Sequence, residues 1–231
     1  MWQGKKKAIT FSFDDGVTQD IRMVEILNRY GLKGTFNLNS GLLGVNAQLS
    51  VGGGKYVDHN KVLPEQVKAV YAGHEVAVHT VKHPNLTTLS EEEIVEQVER
   101  DRETLSELCG YPVVGMAYPC GGVNNDARVA DVLRRRTPIR YSRTITSTHR
   151  FDLQENLLQF NPTVYWVEDC LDEIVDKFLA LQTDKPQLLY IWGHSYEADA
   201  GFITWERFER LCEKLSQKSD IFYGTNQEVL L

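Results

Sequence analysis

Cysteine is sparse. Cys109, Cys120, Cys170 and Cys212 are scattered over 231 residues with no C-x-x-C pair among them. Such spacing excludes a small disulfide-stapled secreted fold and leaves reduced thiols in a cytosolic setting as the simpler expectation. Long apolar runs are also missing: the longest uncharged stretch, Thr35 to Gly54, is full of Gly, Asn, Ser and Gln and is no membrane span. A basic excess is absent, since 25 Lys and Arg stand against 32 Asp and Glu for a formal charge of −7. Binding to a phosphate backbone is therefore not expected, and neither nucleic acid nor membrane is an expected partner. The basic start Met1–Lys7 leads into a short apolar run that ends in Asp14-Asp15 with no small-residue cleavage site. As written, the chain is expected in the cytoplasm, and outside or at the cell surface only if its N-terminus was trimmed. The sequence is silent on oligomeric state.

What is present is ordinary globular composition, 42% hydrophobic and 25% charged, in a chain long enough to bury a substantial core. Short apolar runs alternate with segments of helical period. Lys7–Phe13 reads as a strand with Ile9, Phe11 and Phe13 on one face. Thr18 is expected to cap a helix that carries Ile21, Val24, Leu27 and Tyr30 and stops at Gly31. Further strands are predicted at Gly34–Leu38, Glu75–His79, Val113–Ala117, Ile139–Ile145, Gln187–Trp192 and Ile221–Tyr223. Helices are predicted from Pro64 to about Ala72, from a Ser90/Glu93 capping box to about Leu108, and over Asp126–Arg135, Asp169–Leu181 and Thr204–Leu215. A β-α pair repeated about seven times argues for a parallel α/β architecture. No Pro- or Gly-rich linker divides the chain, so a single domain over residues 1–231 is expected. The loose stretch at about 39–61, with Gly52-Gly53-Gly54, reads as a loop or hairpin inserted after the second strand.

In parallel barrels the reactive side chains gather where strands end and βα loops begin. Four predicted strands end in Asp14-Asp15-Gly16, His79-Thr80-Val81-Lys82-His83-Pro84, Tyr118-Pro119-Cys120-Gly121 and Trp192-Gly193-His194-Ser195-Tyr196-Glu197. Two aspartates and three of the six histidines thus fall at strand exits. Pro84 disfavours a helical His83, so the His79/His83 pair belongs to a turn leaving a strand. Two solvent-facing loop histidines and two rings aimed at one point both fit that spacing. With a carboxylate from a neighbouring strand end, the second alternative makes a three-ligand site suited to a catalytic divalent metal. Asp14-Asp15 reads equally as a turn acid pair or as a pair stabilised by a cation, one acid holding it and the other serving as base. His194 reads as a structural hydrogen-bonding residue or, facing the same mouth, as an acid for a leaving amine.

Phe11–Gly16 resembles the T-F-D-D-G motif of the polysaccharide deacetylases, carbohydrate esterase family four, and His79–His83 resembles its H-[ST]-x-x-H motif. Ala117–Gly121 is similar to the R-x-P-[YF]-G segment and Ile191–His194 to the late L-x-H motif. The resemblance implies a distorted (β/α)7 barrel of the α/β class that removes N-acetyl, or in some members O-acetyl, groups from an amino-sugar oligosaccharide or polysaccharide. It implies that Asp15, His79 and His83 hold one divalent metal, zinc above all, with cobalt, manganese, nickel or iron as alternatives. It makes Asp14 the base and His194 the acid, and it gives the Cys120 N–H to the oxyanion. Tyr118, Cys120, Trp192 and Glu197 are the expected substrate-facing residues, with Trp192 walling an acyl pocket.

This chain departs from the pattern at Ala117, where the family has arginine, and no Asp-x-x-Asp-Trp segment appears. Strand alternation puts Tyr141, Arg143 and Ile145 on one face, and a basic side chain between apolar neighbours needs an acid partner if buried. Arg143 is therefore expected to reach the mouth and pair with Asp14; an outward Arg143 paired with a helix acid is the alternative. Beside the deacetylase stand two other functions: a metal-retaining carbohydrate-binding module without activity, and a hydrolase of cyclic amides or ureido compounds.

Overall fold

In the computed structural model, which describes all 231 residues, Lys7–Asp14 forms β1 at the heart of a mostly parallel sheet. Every residue of β1 is buried, as befits a strand with helices outside it and a lumen inside. Phe11 and Phe13 point outward against Phe208, and Phe13 also meets Trp166 edge-on. Thr10, Ser12 and Asp14 alternate with them and point inward, where Asn226 and Asn37 meet them.

The chain continues through α1 (Asp20–Arg29), β2 (Gly34–Leu38), an antiparallel hairpin of β3 (Gln48–Gly52) and β4 (Lys55–Asp58), α2 (Val67–Val70) and β5 (Glu75–Val78). Then come α3 (Glu91–Cys109), β6 (Gly115–Ala117), α4 (Ala127–Arg136), β7 (Tyr141–Arg143), β8 (Val164–Tyr165) and α5 (Leu171–Ala180). The last elements are β9 (Gln187–Gly193), α6 (Tyr196–Ala200), α7 (Trp205–Leu215), β10 (Ile221–Tyr223) and α8 (Asn226–Leu230). The main sheet runs in the order β7-β6-β5-β2-β1-β9-β8. β9 follows β1 along most of its length, while β10 pairs with Lys7–Ile9 and β2 with Phe11–Asp14. The two end strands approach each other through the segment before β8: Arg143 bridges Phe160 in parallel, and Phe160 N donates to Ser142 O at 2.9 Å. The sheet thereby curls into a distorted (β/α)7 barrel.

The lumen is polar. Thr35 Oγ1 and Tyr141 Oη donate to the two oxygens of Glu75 at 2.8 and 2.7 Å, and Thr10 Oγ1 donates to Asn226 Oδ1 at 2.9 Å. The apolar core lies instead between sheet and helices, as one cluster that includes Phe11, Phe13, Phe36, Trp166 and Phe208. α3 begins with the expected capping box: Ser90 Oγ accepts from Glu93 N, and Ser90 N donates to Glu93 Oε2. Two expected helix starts differ. α1 opens at Asp20 with Gln19, not Thr18, at the cap position and no side-chain cap bond; Thr18 lies one residue further out, where its N donates to Asn60 O at 2.8 Å, and Ile21 is exposed. The helix expected from Pro64 is only a 3₁₀ turn and one α turn, ended by Gly73 at φ +85° just before β5. No helix is long and apolar enough to cross a membrane.

Candidate active site

β1 delivers Asp14 to the lumen face at its end, and the chain turns sharply at Asp15, which has φ +85°. Thr80, His83 and Cys120 also adopt left-handed φ, at +69°, +60° and +71°. Each such residue without glycine's freedom costs of order 1 kcal/mol or more, and surrounding bonds must hold it there. Asp15 N donates to Asn37 O at 2.9 Å, His83 N to Thr80 Oγ1 at 3.1 Å, and Asn124 Nδ2 to Cys120 O at 2.8 Å. His83 therefore leaves the helical region, as Pro84 requires, but into the left-handed region rather than the extended one.

Asp14 is buried and fully engaged. The Arg143 Nη2 donates to both its carboxylate oxygens, and Asn37 Nδ2 donates to Oδ1 at 2.8 Å. Arg143 is completely buried, and its guanidinium carbon lies 4.5 Å from the Trp192 ring centroid. Burial alone would raise the Asp14 carboxyl; Arg143, His79 and His194 outweigh it and hold it below its ordinary value. The inward Arg143 is the orientation anticipated from strand alternation. Ala117, where the motif has arginine, contributes its carbonyl instead: it lies 2.9 Å from His79 Nδ1 and can only accept, so that nitrogen carries the proton. His79 Nε2 is left with its lone pair facing the acids. Burial lowers the His79 imidazole to about 4, which keeps it neutral and fit to coordinate.

Asp15 Oδ1 lies 3.8 Å from His79 Nε2 and 3.6 Å from His83 Nε2, and the donor atoms of the three residues fall within 4.8 Å of one another. In a tetrahedral zinc site, with bonds of about 2.0–2.2 Å, ligand atoms sit roughly 3.4 Å apart. The cluster is close to that spacing, its donors are one carboxylate and two imidazoles, and it opens onto a cavity; the residues fit a divalent cation.

Two side chains at this cluster were not anticipated. The hairpin after β2 brings His59 Nε2 to 3.2 Å from Asp15 Oδ2 and Lys61 Nζ to 2.7 Å from Asp15 O. Burial would raise the Asp15 carboxyl, but the His59 bond, Lys61, His194 and His79 hold it well below its ordinary value. The only sequence signal was the presence of basic residues in the loose stretch. Behind His79, the buried Asp101 of α3 accepts from His79 N at 3.0 Å and Ser40 N at 2.6 Å. An acid on the inner face of an amphipathic helix was the available clue.

His194 lies on the other wall. Its N donates to Glu197 Oε2 at 2.9 Å, and its Nδ1 lies 3.1 Å from Glu197 Oε1. Glu197 was expected to face substrate, and this expectation is corrected. The carboxylate does not line the cavity but lies behind His194, where it also accepts from Tyr165 Oη and Trp166 Nε1. Burial pushes Glu197 up to about 8 against the pull of the His194 N–H. Gly193 makes this packing possible, because a Cβ there would lie 2.2 Å from Trp166 Cδ1. Asp14, Asp15, His79, His83 and His194 border one cavity of about 510 Å³, which Tyr118, Cys120 and Trp192 also line. Tyr118 offers only its ring, since its hydroxyl donates to Leu158 O at 2.7 Å. The Cys120 N–H points at His83 Nε2, 3.4 Å away, toward the Asp15, His79 and His83 cluster.

The sequence model of the polysaccharide deacetylase family matches residues 3–135. A peptidoglycan-N-acetylglucosamine deacetylase of Bacillus cereus is 29% identical over 121 residues, 51% of this chain and 38% of that protein. The chain thus spans well under half the length of this curated relative. Among solved structures, a family 4 carbohydrate esterase from Streptomyces lividans in complex with acetate superposes with a TM-score of 0.59 at 19% identity, covering 96% of this chain and 93% of the other. A CE4 family pseudoenzyme from Bacillus anthracis superposes with a TM-score of 0.56 at 18% identity, covering 99% and 66%. At these identities the superpositions establish the fold, and that one neighbour is a pseudoenzyme means that the fold does not decide activity.

Proposed function

The chain belongs to the polysaccharide deacetylase family, and from that premise we propose that it hydrolyses N-acetyl groups on an amino-sugar oligosaccharide or polysaccharide. The observation that carries this reading is the meeting of Asp14, Asp15, His79, His83 and His194 around one cavity, with Arg143 paired to Asp14. Asp15, His79 and His83 are the residues that would hold a divalent cation. Zinc is the cation best suited to that donor set, and it would supply an acidified water and a positive charge facing the acyl oxygen.

The protein's own side chains then divide the proton work. Asp14, kept ionised by Arg143, accepts a proton from the attacking water. His194 passes a proton to the amine as it leaves; Glu197 orients it through the bond between Nδ1 and Oε1, so Nε2 is the nitrogen that serves the cavity. The Cys120 N–H supports the developing oxyanion beside the cation. Trp192, stacked on Tyr165 with centroids 4.5 Å apart, walls the acyl group. A missing motif arginine is the feature that would favour an inert binding module, and the Arg143–Asp14 pair, which supplies a guanidinium in its place, favours the hydrolase instead. Acetate release from N-acetylated chitooligosaccharides tests the proposal: release by zinc-loaded protein, lost on chelation, is expected. Inertness toward N- and O-acetylated sugars with zinc, cobalt, manganese, nickel or iron supplied would overturn it.

A further inference from the structure

A second group of metal-ligating side chains lies outside the cavity. His149 belongs to the loop after β7, while Glu168 and Cys170 sit between β8 and α5. One donor atom from each falls within 4.8 Å of the others. His149 Nε2 and Glu168 Oε2 are hydrogen-bonded at 2.5 Å, and Cys170 Sγ lies 3.6 Å from that nitrogen and 3.5 Å from that oxygen. We propose that His149, Glu168 and Cys170 form a second divalent-cation site of the zinc class, separate from the cluster at Asp15.

A hydrogen bond accounts for His149 and Glu168, whereas the Cys170 thiol, whose sulfur faces both, has only a weak S–H···O contact to Glu168 Oε2 at 3.5 Å. A nitrogen, a carboxylate oxygen and a sulfur converging on one point suit a borderline-soft cation, whereas magnesium and calcium demand oxygen. Glu168 is braced for such a role. Its Oε1 accepts from Ser147 Oγ and from Tyr165 N, which leaves Oε2 to the cluster. Support of this kind orients ligating carboxylates. On binding, the Cys170 thiol loses its proton to solvent and His149 coordinates as the neutral ring. The exposure of His149 and the partial exposure of the other two leave room for water to complete a four-coordinate shell.

The position gives the site a consequence. Ile145, which lines the cavity, lies on the same loop as Ser147 and His149. Glu168 holds the backbone of Tyr165, whose ring stacks on Trp192 and also lines the cavity. A cation at His149, Glu168 and Cys170 clasps the loop after β7 to the exit of β8 and so fixes that wall.

Cobalt(II) titration of the full chain tests the site, because a thiolate ligand adds a near-ultraviolet charge-transfer band that carboxylate and imidazole ligands do not. Wild type is expected to show the band, and Cys170→Ser and His149→Ala are each expected to lose it. Cys120→Ser, which removes the thiol beside His83, and Asp15→Asn, which removes the carboxylate of the other cluster, are expected to keep it. Circular dichroism of each variant confirms that the fold is retained. The proposal is overturned by the absence of a band in wild type, by its survival in Cys170→Ser, or by its loss in Cys120→Ser alone.

Discussion

Arg143 and Asp14 stand 129 residues apart in the chain and meet as a buried ion pair in the barrel, with the guanidinium also seated over Trp192. The pair links β7 to the end of β1 across the lumen. It places a fixed positive charge behind the proposed base although Ala117 occupies the motif position where an arginine was expected. Removing one member of a buried pair costs far more than the pair's net worth, because the other charge is stranded.

Arg143→Ala is therefore expected to destabilise the protein by about 3–5 kcal/mol and to depress acetate release more than it weakens substrate binding. Arg143→Lys should recover part of both, since it keeps the charge but loses the planar guanidinium whose Nη2 reaches Asp14 while Nη1 donates to Thr144 O. Urea unfolding with kcat and KM for both variants checks this; wild-type stability and turnover in Arg143→Ala would contradict it.

His194→Ala is expected to lower kcat by roughly 10²–10⁴-fold while cation content at the Asp15 cluster is unchanged. Glu197→Gln should lower kcat less, because it disturbs the orientation of the ring without removing the proton donor. Metal analysis of the purified variants separates the roles. Loss of the cation from His194→Ala would make that residue a ligand or support instead.

His59 meets the Asp15 carboxylate from the hairpin, on the oxygen turned away from His79 and His83. Partners of this kind commonly govern cation affinity by about 10–100-fold, and His59→Ala is expected to weaken zinc binding to that extent. Competition with a calibrated chelator, monitored in the Cys170→Ser background, measures it; unchanged affinity would mean that His59 serves only to dock the hairpin.

Asp20 is buried beneath the site, accepting from Ser195 Oγ at 2.5 Å and Tyr71 Oη at 2.8 Å, and burial raises its carboxyl to about 7. The folded state thus holds this proton more tightly than the unfolded chain, whose aspartate titrates near 3.8. Between those values folding binds protons, so stability falls as pH rises through that window. Between about pH 4 and pH 7 the denaturant midpoint of wild type should fall more, or rise less, than that of Asp20→Asn, since His74 and His79, which burial lowers to about 4, impose the opposite slope on both proteins. Some slope is expected to persist from Glu197 and Asp101, which burial raises to about 8 and about 7. An identical pH dependence in wild type and Asp20→Asn would contradict the assignment.

The elements visible in the sequence were those whose local pattern agrees with their packing. Gly34–Leu38 and Ile221–Tyr223 form strands over the expected residues, and Ser90 with Glu93 closes the expected box. β8 has only two residues, too few to carry a period, and it forms because β9 offers it an edge. Thr18 had the right chemistry for a cap, but the helix starts one residue later than that, with Gln19 at the cap position and Thr18 N bonded to Asn60 O of the incoming hairpin segment. The strand-end residues were legible because parallel topology gathers strand exits at one mouth. His59, Lys61, Asp101 and the buried placement of Glu197 were not, since each depends on where a hairpin or helix docks. No local spacing encodes that.

The most direct test of the proposed chemistry compares acetate release from N-acetylated chitooligosaccharides by zinc-loaded wild type and zinc-loaded Asp14→Asn. The predicted result is release by wild type and its near-complete loss in the variant, with zinc still bound at Asp15, His79 and His83. Equal release from both proteins, or none from wild type with that site loaded, would contradict a deacetylase working through Asp14.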